Sequence, residues 1–146
     1  MSLSKRLSSL CAAPSMPTTL GDLGLLSTRV FFGLSMALAH GINKLPASEK
    51  WIQKVESLGF MCPELFAWSA GLAEFVGGIL IAIGLCTRGA ALSLLCTMFV
   101  AVCIAHGGDP YSKMESGLCY GMVSLLLVTL GPGRYSVDRL ISSSSS

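Results

Sequence analysis

Charged residues are scarce in this chain of 146 residues: Asp, Glu, Lys and Arg make up 12% of it, against about a quarter in an average soluble domain. The net charge is only +2 and no dense basic stripe is present, which argues against binding to nucleic acid. Hydrophobic residues contribute 52% of the sequence, and the mean hydropathy is +0.68. The composition therefore indicates an integral membrane protein of one domain.

The motifs that would mark a cofactor enzyme are also missing. The chain has no flavin motif, no nucleotide-binding loop and no haem ligands facing each other at one depth. The six cysteines form no C-x-x-C, and no zinc-type spacing predicts a metal site. We expect most of them to act as small buried apolar residues, with Cys62 the best candidate for redox or metal chemistry. The motifs in the sequence identify no cofactor, and whether the chain is an enzyme stays open.

Long apolar runs are what the chain has in abundance. Each is 16 to 21 residues long, enough to cross a hydrocarbon layer of about 30 Å. Strand-like alternation is absent, so the runs are predicted to be helices and not strands of a barrel. The predicted spans are about 23–43, about 65–85, 89–105 and about 116–131.

Small residues recur in these spans at the spacing of helix contacts. In lipid, helices associate through close packing and polar contacts, and small residues let two backbones approach. The sequence therefore predicts an all-α, multi-pass membrane protein folded as a four-helix bundle. The alternative is that Gly and Ala are simply frequent in membrane helices. The residues concerned are Gly33, Ala37 and Gly41, then Gly78 and Ala82, then Gly117 and Gly121.

The chain divides into three predicted parts. Residues 1–21 form a lead-in, residues 22–141 the membrane domain, and residues 142–146 a disordered serine tail. Within the domain, residues 44–64 join the first two spans and alternate apolar with charged residues. We expect a short amphipathic element there, lying at the membrane interface with Trp51.

Basic residues are somewhat more frequent on the side of the two termini, which predicts that both termini are cytoplasmic. The expected location is a bacterial-type plasma (inner) membrane. The first 21 residues are basic, serine-rich and free of acids. That composition is also compatible with a mitochondrial transit peptide, so the mitochondrial inner membrane is the alternative.

One carboxylate lies in the middle of an apolar run. Glu74 is the only charged residue between Leu65 and Thr87. A charge at the centre of a membrane helix costs about 2.5–3.5 kcal/mol, so it normally faces protein or water and has a partner. Alignment of the predicted spans places Glu74 level with residue 35, which makes Arg29 a candidate partner.

Other polar residues fall close to this level or towards the opposite membrane surface. In one interpretation they line a pocket for a quinone-like ligand, or form a proton path through histidines. In the other they are ties between helices, with hydrogen bonds worth about 0.6 kcal/mol each. No catalytic residue is assigned. The candidate ligand-binding residues are Arg29, His40, Lys44, Glu74, His106 and Glu115.

An ordered set of short motifs covers about residues 22–140. It comprises Arg29, AHGINKL (39–45), Glu74 with the glycine pair 77–78, GLCTR (84–88), His106, DPYSKMES (109–116), Tyr120 and GPGRYSVD (131–138). In this order and spacing the chain resembles the DoxX family of small membrane proteins.

The resemblance implies a role in a membrane redox complex. Members of the family are similar to a subunit of a terminal quinol oxidase and to the membrane part of thiosulfate:quinone oxidoreductase. A quinone is therefore the candidate cofactor, and a soluble or membrane redox subunit is the candidate partner besides the lipid bilayer; homo-oligomerisation stays open. By family pattern the positions of interest are Arg29, His40, Lys44, Glu74, His106, Asp109, Lys113 and Glu115.

Two other classes of function remain. The first is a non-catalytic scaffold or assembly protein whose polar groups only tie helices together. The second is a small transporter or proton conductor, against which the lack of an inverted repeat with broken helices argues.

Overall fold

The computed structural model of the protein describes residues 19–144. The predictions made for residues 1–18, including Cys11, and for residues 145–146 lie outside these residues. The described chain is helical and contains no strand. The α-helices are α1 Thr19–Ser35, α2 Glu49–Ser57, α3 Pro63–Ile83, α4 Thr87–Val100, α5 Tyr111–Leu130 and α6 Val137–Ser144.

Two of the helices change their winding before they end. After α1, the chain continues as a π-helix over Met36–Gly41 and a 3₁₀ turn over Ile42–Lys44. After α4, it continues as a π-helix over Ala101–Ala105. π-Helical turns are rare and are often found at functional sites, whereas 3₁₀ turns are common at helix ends. Both extensions lie at the same end of the molecule.

With these extensions, the described residues contain four helices long and apolar enough to cross a membrane. This confirms the all-α, multi-pass prediction. The fourth span begins earlier than predicted, because its polar first turn continues the helix. The spans are Thr19–Lys44, Pro63–Ile83, Thr87–Ala105 and Tyr111–Leu130.

Neighbouring spans pack in antiparallel pairs. α1 lies along α3, α3 along α4 and α4 along α5, while α2 rests on α3. One membrane surface carries the start of α1, the turn 84–86 and the segment 131–137; we call it the terminal face. The opposite surface carries the segments 45–62 and 106–110; we call it the loop face.

Glycines fix the register of α1 against α3. A Cβ atom built on Gly33 would lie 2.5 Å from the carbonyl oxygen of Gly78, and one on Gly41 only 2.4 Å from the backbone nitrogen of Phe75. Backbones that approach this closely leave no room for a side chain. Glu74 is therefore level with Gly41 and not with residue 35, and that prediction was wrong.

The described cysteines correct a second expectation. Cys62, Cys86, Cys96, Cys103 and Cys119 are free, and all are exposed at the surface of the chain. They do not fill the interior as small apolar residues. Many large apolar side chains of the spans are exposed in the same way, as lipid contact requires.

The connecting segment between the first two spans folds largely as expected. α2 starts at its cap Ser48, whose hydroxyl accepts from the backbone N–H of Trp51 at 3.4 Å. Val55 is the buried residue of α2. The indole N–H of Trp51 donates to the carbonyl oxygen of Ala67 at 3.1 Å. Trp51 is thus bound to α3 as well as placed near the interface.

The C-terminal serines differ from the predicted disordered tail. α6 extends to Ser144. Within it the hydroxyl of Ser142 donates to the carbonyl oxygen of Asp138 at 2.9 Å, and that of Ser143 to Leu140 at 2.9 Å.

Candidate functional site

The partner of the buried carboxylate is a lysine from the end of the first span. Lys44 Nζ lies 2.5 Å from Glu74 Oε1. The 3₁₀ turn at the end of α1 brings Lys44 to this position. Glu74 is 1% exposed. Its second oxygen, Oε2, is buried and has no hydrogen-bond partner in the part of the chain that the structure describes.

Lys44 makes a further contact on its other side. Its ammonium group lies 4.8 Å from the centre of the Trp51 ring, close enough for a cation–π interaction. The lysine therefore links α1, α2 and α3. Because its side chain is 26% exposed, it also reaches the edge of the protein interior.

A small cavity of about 120 Å³, lined by both polar and apolar residues, adjoins the ion pair. It lies between the π-helical ends of the first and third spans and the start of α5. Its lining brings together polar residues that are far apart in sequence. Among them are His40, Lys44, Glu74, His106, Lys113 and Tyr120.

Tyr120 holds one wall of this cavity in place. Its hydroxyl lies 2.8 Å from the hydroxyl of Ser35, and its ring packs edge-on against Phe32 and His40. These contacts tie α5 to the first span. His40 itself is exposed, so it sits at the rim of the cavity rather than at its centre.

A larger and mainly apolar cavity of about 510 Å³ lies on the other side of the ion pair. It is lined by residues of α2, α3 and the third span. Its apolar lining includes Trp51, Leu58, Phe60 and Phe66, and it shares Lys44, Glu74 and His106 with the small cavity. The Lys44–Glu74 pair thus stands between two cavities of different polarity.

The loop face carries a second polar cluster beside the small cavity. His106 Nδ1 lies 2.8 Å from Asp109 Oδ2, and Lys113 Nζ lies 3.5 Å from Asp109 Oδ1. The hydrogen bond with His106 and the charge of Lys113 lower the pKa of Asp109. An ionised Asp109 thus lies next to His106 and Lys113, two residues that line the small cavity.

Arg29 belongs to a different cluster, on the terminal face. Its guanidinium donates to the carbonyl oxygen of Ile81 at 3.5 Å and to that of Tyr135. The prediction of an Arg29–Glu74 contact is therefore wrong. The reason is the helix register, which places Arg29 beside Gly84, about three turns of α3 away from Glu74.

Asp138 completes this terminal cluster. Its carboxylate accepts from the backbone N–H groups of Cys86 at 2.7 Å and Thr87 at 3.0 Å, and from the Thr87 hydroxyl at 3.0 Å. Burial raises the pKa of Asp138, but these hydrogen bonds and the charge of Arg29 outweigh it, so that the pKa lies below its usual value. The GPGRYSVD segment is thus bound inward to the start of α4.

The structure therefore sorts the predicted ligand-binding residues into two groups. His40, Lys44, Glu74 and His106 line one cavity. Arg29 is elsewhere, and Glu115 is exposed and lines neither cavity. Within residues 19–144, no cluster of three or more His, Cys, Asp or Glu side chains could hold a metal ion.

Two of the lining residues that were not among the predicted ligand-binding residues carry polar groups on aromatic rings, Trp51 and Tyr120. Tyr120 carries a hydroxyl inside an apolar span, which is a signal for a buried hydrogen bond. Trp51 was assigned only to the interface, although its position in an amphipathic helix also permits contact with a neighbouring span.

Comparisons with known proteins agree with this architecture. The sequence model of the DoxX family matches residues 24–107. An uncharacterized membrane protein of Mycobacterium tuberculosis is 30% identical over 90% of this chain and 91% of its own length. Inner membrane protein YqjF of Escherichia coli is 32% identical over 84% of this chain and 95% of its own.

A third relative has a more specific name. It is a Bacillus subtilis protein called "Putative oxidoreductase CatD", 31% identical over 82% of this chain and 88% of its own length. No solved structure matches the chain. With its membrane spans, its motif order and these matches, the chain belongs to the DoxX family of integral membrane proteins.

Proposed function

We propose that the protein binds a quinone-type ligand at the Lys44–Glu74 pair and serves as an accessory subunit of a quinone-linked membrane oxidoreductase. The observation that carries the proposal is the buried Oε2 atom of Glu74, which has no hydrogen-bond partner within residues 19–144, on a residue that lines a cavity of about 510 Å³. Ligand pockets are typically apolar, with a few placed polar groups and volumes of about 300–1,000 Å³.

The lining of the larger cavity suits an amphiphilic molecule. Its apolar part, formed by residues such as Phe60 and Phe66, accepts a ring or an isoprenoid chain. Its polar end offers Lys44 as a donor and Glu74 as an acceptor. A quinone has carbonyl groups that accept from Lys44, and its reduced form has hydroxyl groups that donate to Glu74.

The proposed role as a subunit, and not as a complete enzyme, rests on the cofactor motifs that the sequence lacks. No flavin, nucleotide or haem motif is present in the sequence, so electrons would have to come from a partner protein. The name of the Bacillus subtilis relative supports a redox context. The partner is proposed to be another membrane subunit or a soluble one.

Tryptophan fluorescence provides a direct binding test. The chain has two tryptophans, and Trp51 lines the larger cavity whereas Trp68 does not. In a Trp68→Phe background in lipid nanodiscs, decyl-ubiquinone should quench Trp51 saturably. Glu74→Gln should weaken binding by about tenfold, which corresponds to 1.4 kcal/mol. Glu64→Gln, an exposed acid on the same helix, is the matched control.

Unsaturable quenching, equal in the Glu74→Gln variant and its control, would mean that the quinone only partitions into lipid. It would then contradict the proposed ligand site. That result would leave the alternative of a non-catalytic scaffold or assembly protein. The alternative is favoured by one observation, the direct Lys44–Glu74 ion pair at 2.5 Å, which by itself ties α1 to α3.

Both termini are proposed to be cytoplasmic, in the inner membrane of a bacterium. The name of the Escherichia coli relative supports this location. Two exposed cysteines, Cys62 on the loop face and Cys86 on the terminal face, allow a test. A membrane-impermeant maleimide added to intact cells should label Cys62 and leave Cys86 unlabelled. The reverse pattern would contradict the proposed orientation.

A further inference from the structure

The small cavity has the size and lining of a space that holds water. Its volume of about 120 Å³ gives room for several water molecules, since each has a share of about 30 Å³ in the liquid. Empty cavities in proteins are apolar, whereas polar ones are hydrated. This cavity is lined by Lys44, Tyr120 and Ser116 among other polar groups.

Glu74 supplies a reason for water to enter. A buried acceptor without a partner costs about 1–3 kcal/mol, and more if it is charged. Oε2 of Glu74 is such an atom within the described residues. A water molecule in the cavity that Glu74 lines would provide the missing donor.

The end of the cavity nearest the loop face carries two partly exposed residues. At that end lie His106, whose side chain is 35% exposed, and Lys113, which is 64% exposed. Towards the terminal face, the interior is filled by a cluster of buried apolar residues that includes Ile81, Leu94 and Leu127. These residues lie on α3, α4 and α5 between the small cavity and the Arg29–Asp138 cluster.

We infer that the small cavity is a one-ended, water-filled path through which Glu74 exchanges protons with the solvent at the loop face. It is an access path and not a transmembrane conductor, because the apolar cluster closes its inner end. The titratable and charged groups on the elements around Glu74 come from every neighbouring element. They are Lys44 and His40 from the first span, Lys54 from α2, Cys96 from α4, His106 after the third span, and Lys113 and Tyr120 from α5.

This inference extends the proposed function, since a quinone-type ligand takes up or releases protons when it changes its redox state. The hydration and proton access of Glu74 can nevertheless be measured with no ligand present. The two proposals therefore fail separately: a dry cavity would overturn the path, and absent quinone binding would overturn the ligand site.

Three methionines make hydration measurable. Met36 and Met98 line the small cavity and are 1% and 6% exposed, whereas Met122 is 65% exposed on the span α5. Hydroxyl radicals generated by X-rays from bound water oxidise adjacent methionines. In lipid nanodiscs, Met36 and Met98 should be oxidised at least about threefold faster than the lipid-facing Met122, because internal water is the radical source.

A filling variant provides the matched comparison. Val102 lines the small cavity and not the larger one, so Val102→Phe should displace water and reduce oxidation of Met36 and Met98 about threefold. Ile104→Phe adds the same ring two residues away on an exposed position and should leave the oxidation unchanged. Unmodified Met36 and Met98 in the wild-type protein would overturn the inference.

Proton access is tested by sidedness. In vesicles with uniformly oriented protein, the protonation of Glu74 can be followed by the infrared carboxyl signal that disappears in Glu74→Gln. It should follow the pH on the loop face, and Val102→Phe should slow its response by about tenfold, equivalent to 1.4 kcal/mol in the barrier. A signal that follows the pH on the terminal face, or that follows neither side, would overturn the path.

Discussion

Arg29 and Glu74 are equally buried, at 1% exposure each, but their surroundings differ. Arg29 donates to two backbone carbonyl groups and lies close enough to Asp138 to lower its pKa. Among the described residues, each has one buried side-chain atom without a hydrogen-bond partner, Nε of Arg29 and Oε2 of Glu74. Glu74 has one lysine partner and lines two cavities. The Arg29 cluster binds the C-terminal segment to the helices on the terminal face. The surroundings of Glu74 leave a place where a ligand or water can bind.

The difference shows that a charged residue in a membrane span is not by itself a sign of a binding site. Charged residues there are expensive, and both structural and functional ones are found facing other helices or water. What separates the two centres is the space around them. Mutations in the terminal cluster should therefore lower the stability of the protein. Mutations around the Lys44–Glu74 pair and its two cavities, which we call the loop-face centre, should mainly weaken binding.

The largest expected effect is that of Arg29→Met. It removes the donors to Ile81 and Tyr135 and leaves the charge of Asp138 without its cation, which should cost about 3–5 kcal/mol of folding free energy. Thermal unfolding and the monodisperse fraction in mild detergent measure the loss. Arg139→Met, at an exposed position on the same face, should unfold like the wild type. A stable, monodisperse Arg29→Met protein would refute the assignment of Arg29 to a structural cluster.

Much of the fold could be predicted from the sequence, because the spans have a strong compositional signal. The GPGRYSVD motif and the regularly spaced glycines of the spans could also be recognised in the sequence. The error in the position of Glu74 arose from aligning the centres of the predicted spans. Matching the stripe of Gly33, Ala37 and Gly41 to that of Gly78 and Ala82 would have given the observed register, since close backbone contacts need small residues on both helices.

The candidate site was only partly predictable. His40, Lys44, Glu74 and His106 were recognisable as polar residues near one level, but the pairing of Lys44 depends on the 3₁₀ turn that ends the first span. The cavities depend on the winding of the π-helical segments and on how α2 rests on α3. Hydrophobic patterns do not encode such local changes of winding, so the sequence could not reveal them.

Gly41→Val is expected to have the next largest effect and to damage the loop-face centre through its geometry. The new Cβ would lie 2.4 Å from the backbone nitrogen of Phe75, so the first span and α3 must move apart, at about 1–3 kcal/mol or more. The separation should also weaken quinone binding. Gly24→Val is the matched control, since a Cβ there meets nothing within 4 Å. Equal stabilities of the two variants would disprove the close approach.

Asp138→Ala tests the terminal cluster by removing the carboxylate that interacts with Arg29. Loss of the cap on Cys86 and Thr87 should cost about 1–2 kcal/mol. Because folding lowers the pKa of Asp138, its contribution is complete above the unfolded-state pKa of about 3.9 and is lost as the pH falls through the lower folded-state value. The stability difference from the wild type, measured by thermal unfolding, should thus shrink below about pH 4.

The control for this pH dependence is Glu115→Ala, which removes an exposed carboxylate without a place in the terminal cluster. It should leave the acid-dependent loss of stability as it is in the wild type. If Asp138→Ala retained that full acid-dependent loss, Asp138 would not be the group responsible.

The smallest expected effect comes from Tyr120→Phe, which removes one hydrogen bond from the loop-face centre and keeps the ring. The hydroxyl pairs with Ser35 at 2.8 Å, and such bonds between membrane helices are worth about 0.6 kcal/mol on average. The loss should be just measurable by thermal unfolding against Tyr111→Phe, whose side chain is exposed. A loss above about 2 kcal/mol, beyond the usual range for these bonds, would mean that the wall of the small cavity is a structural tie as essential as Arg29. The contrast between the two centres would then no longer hold, because both would act through stability.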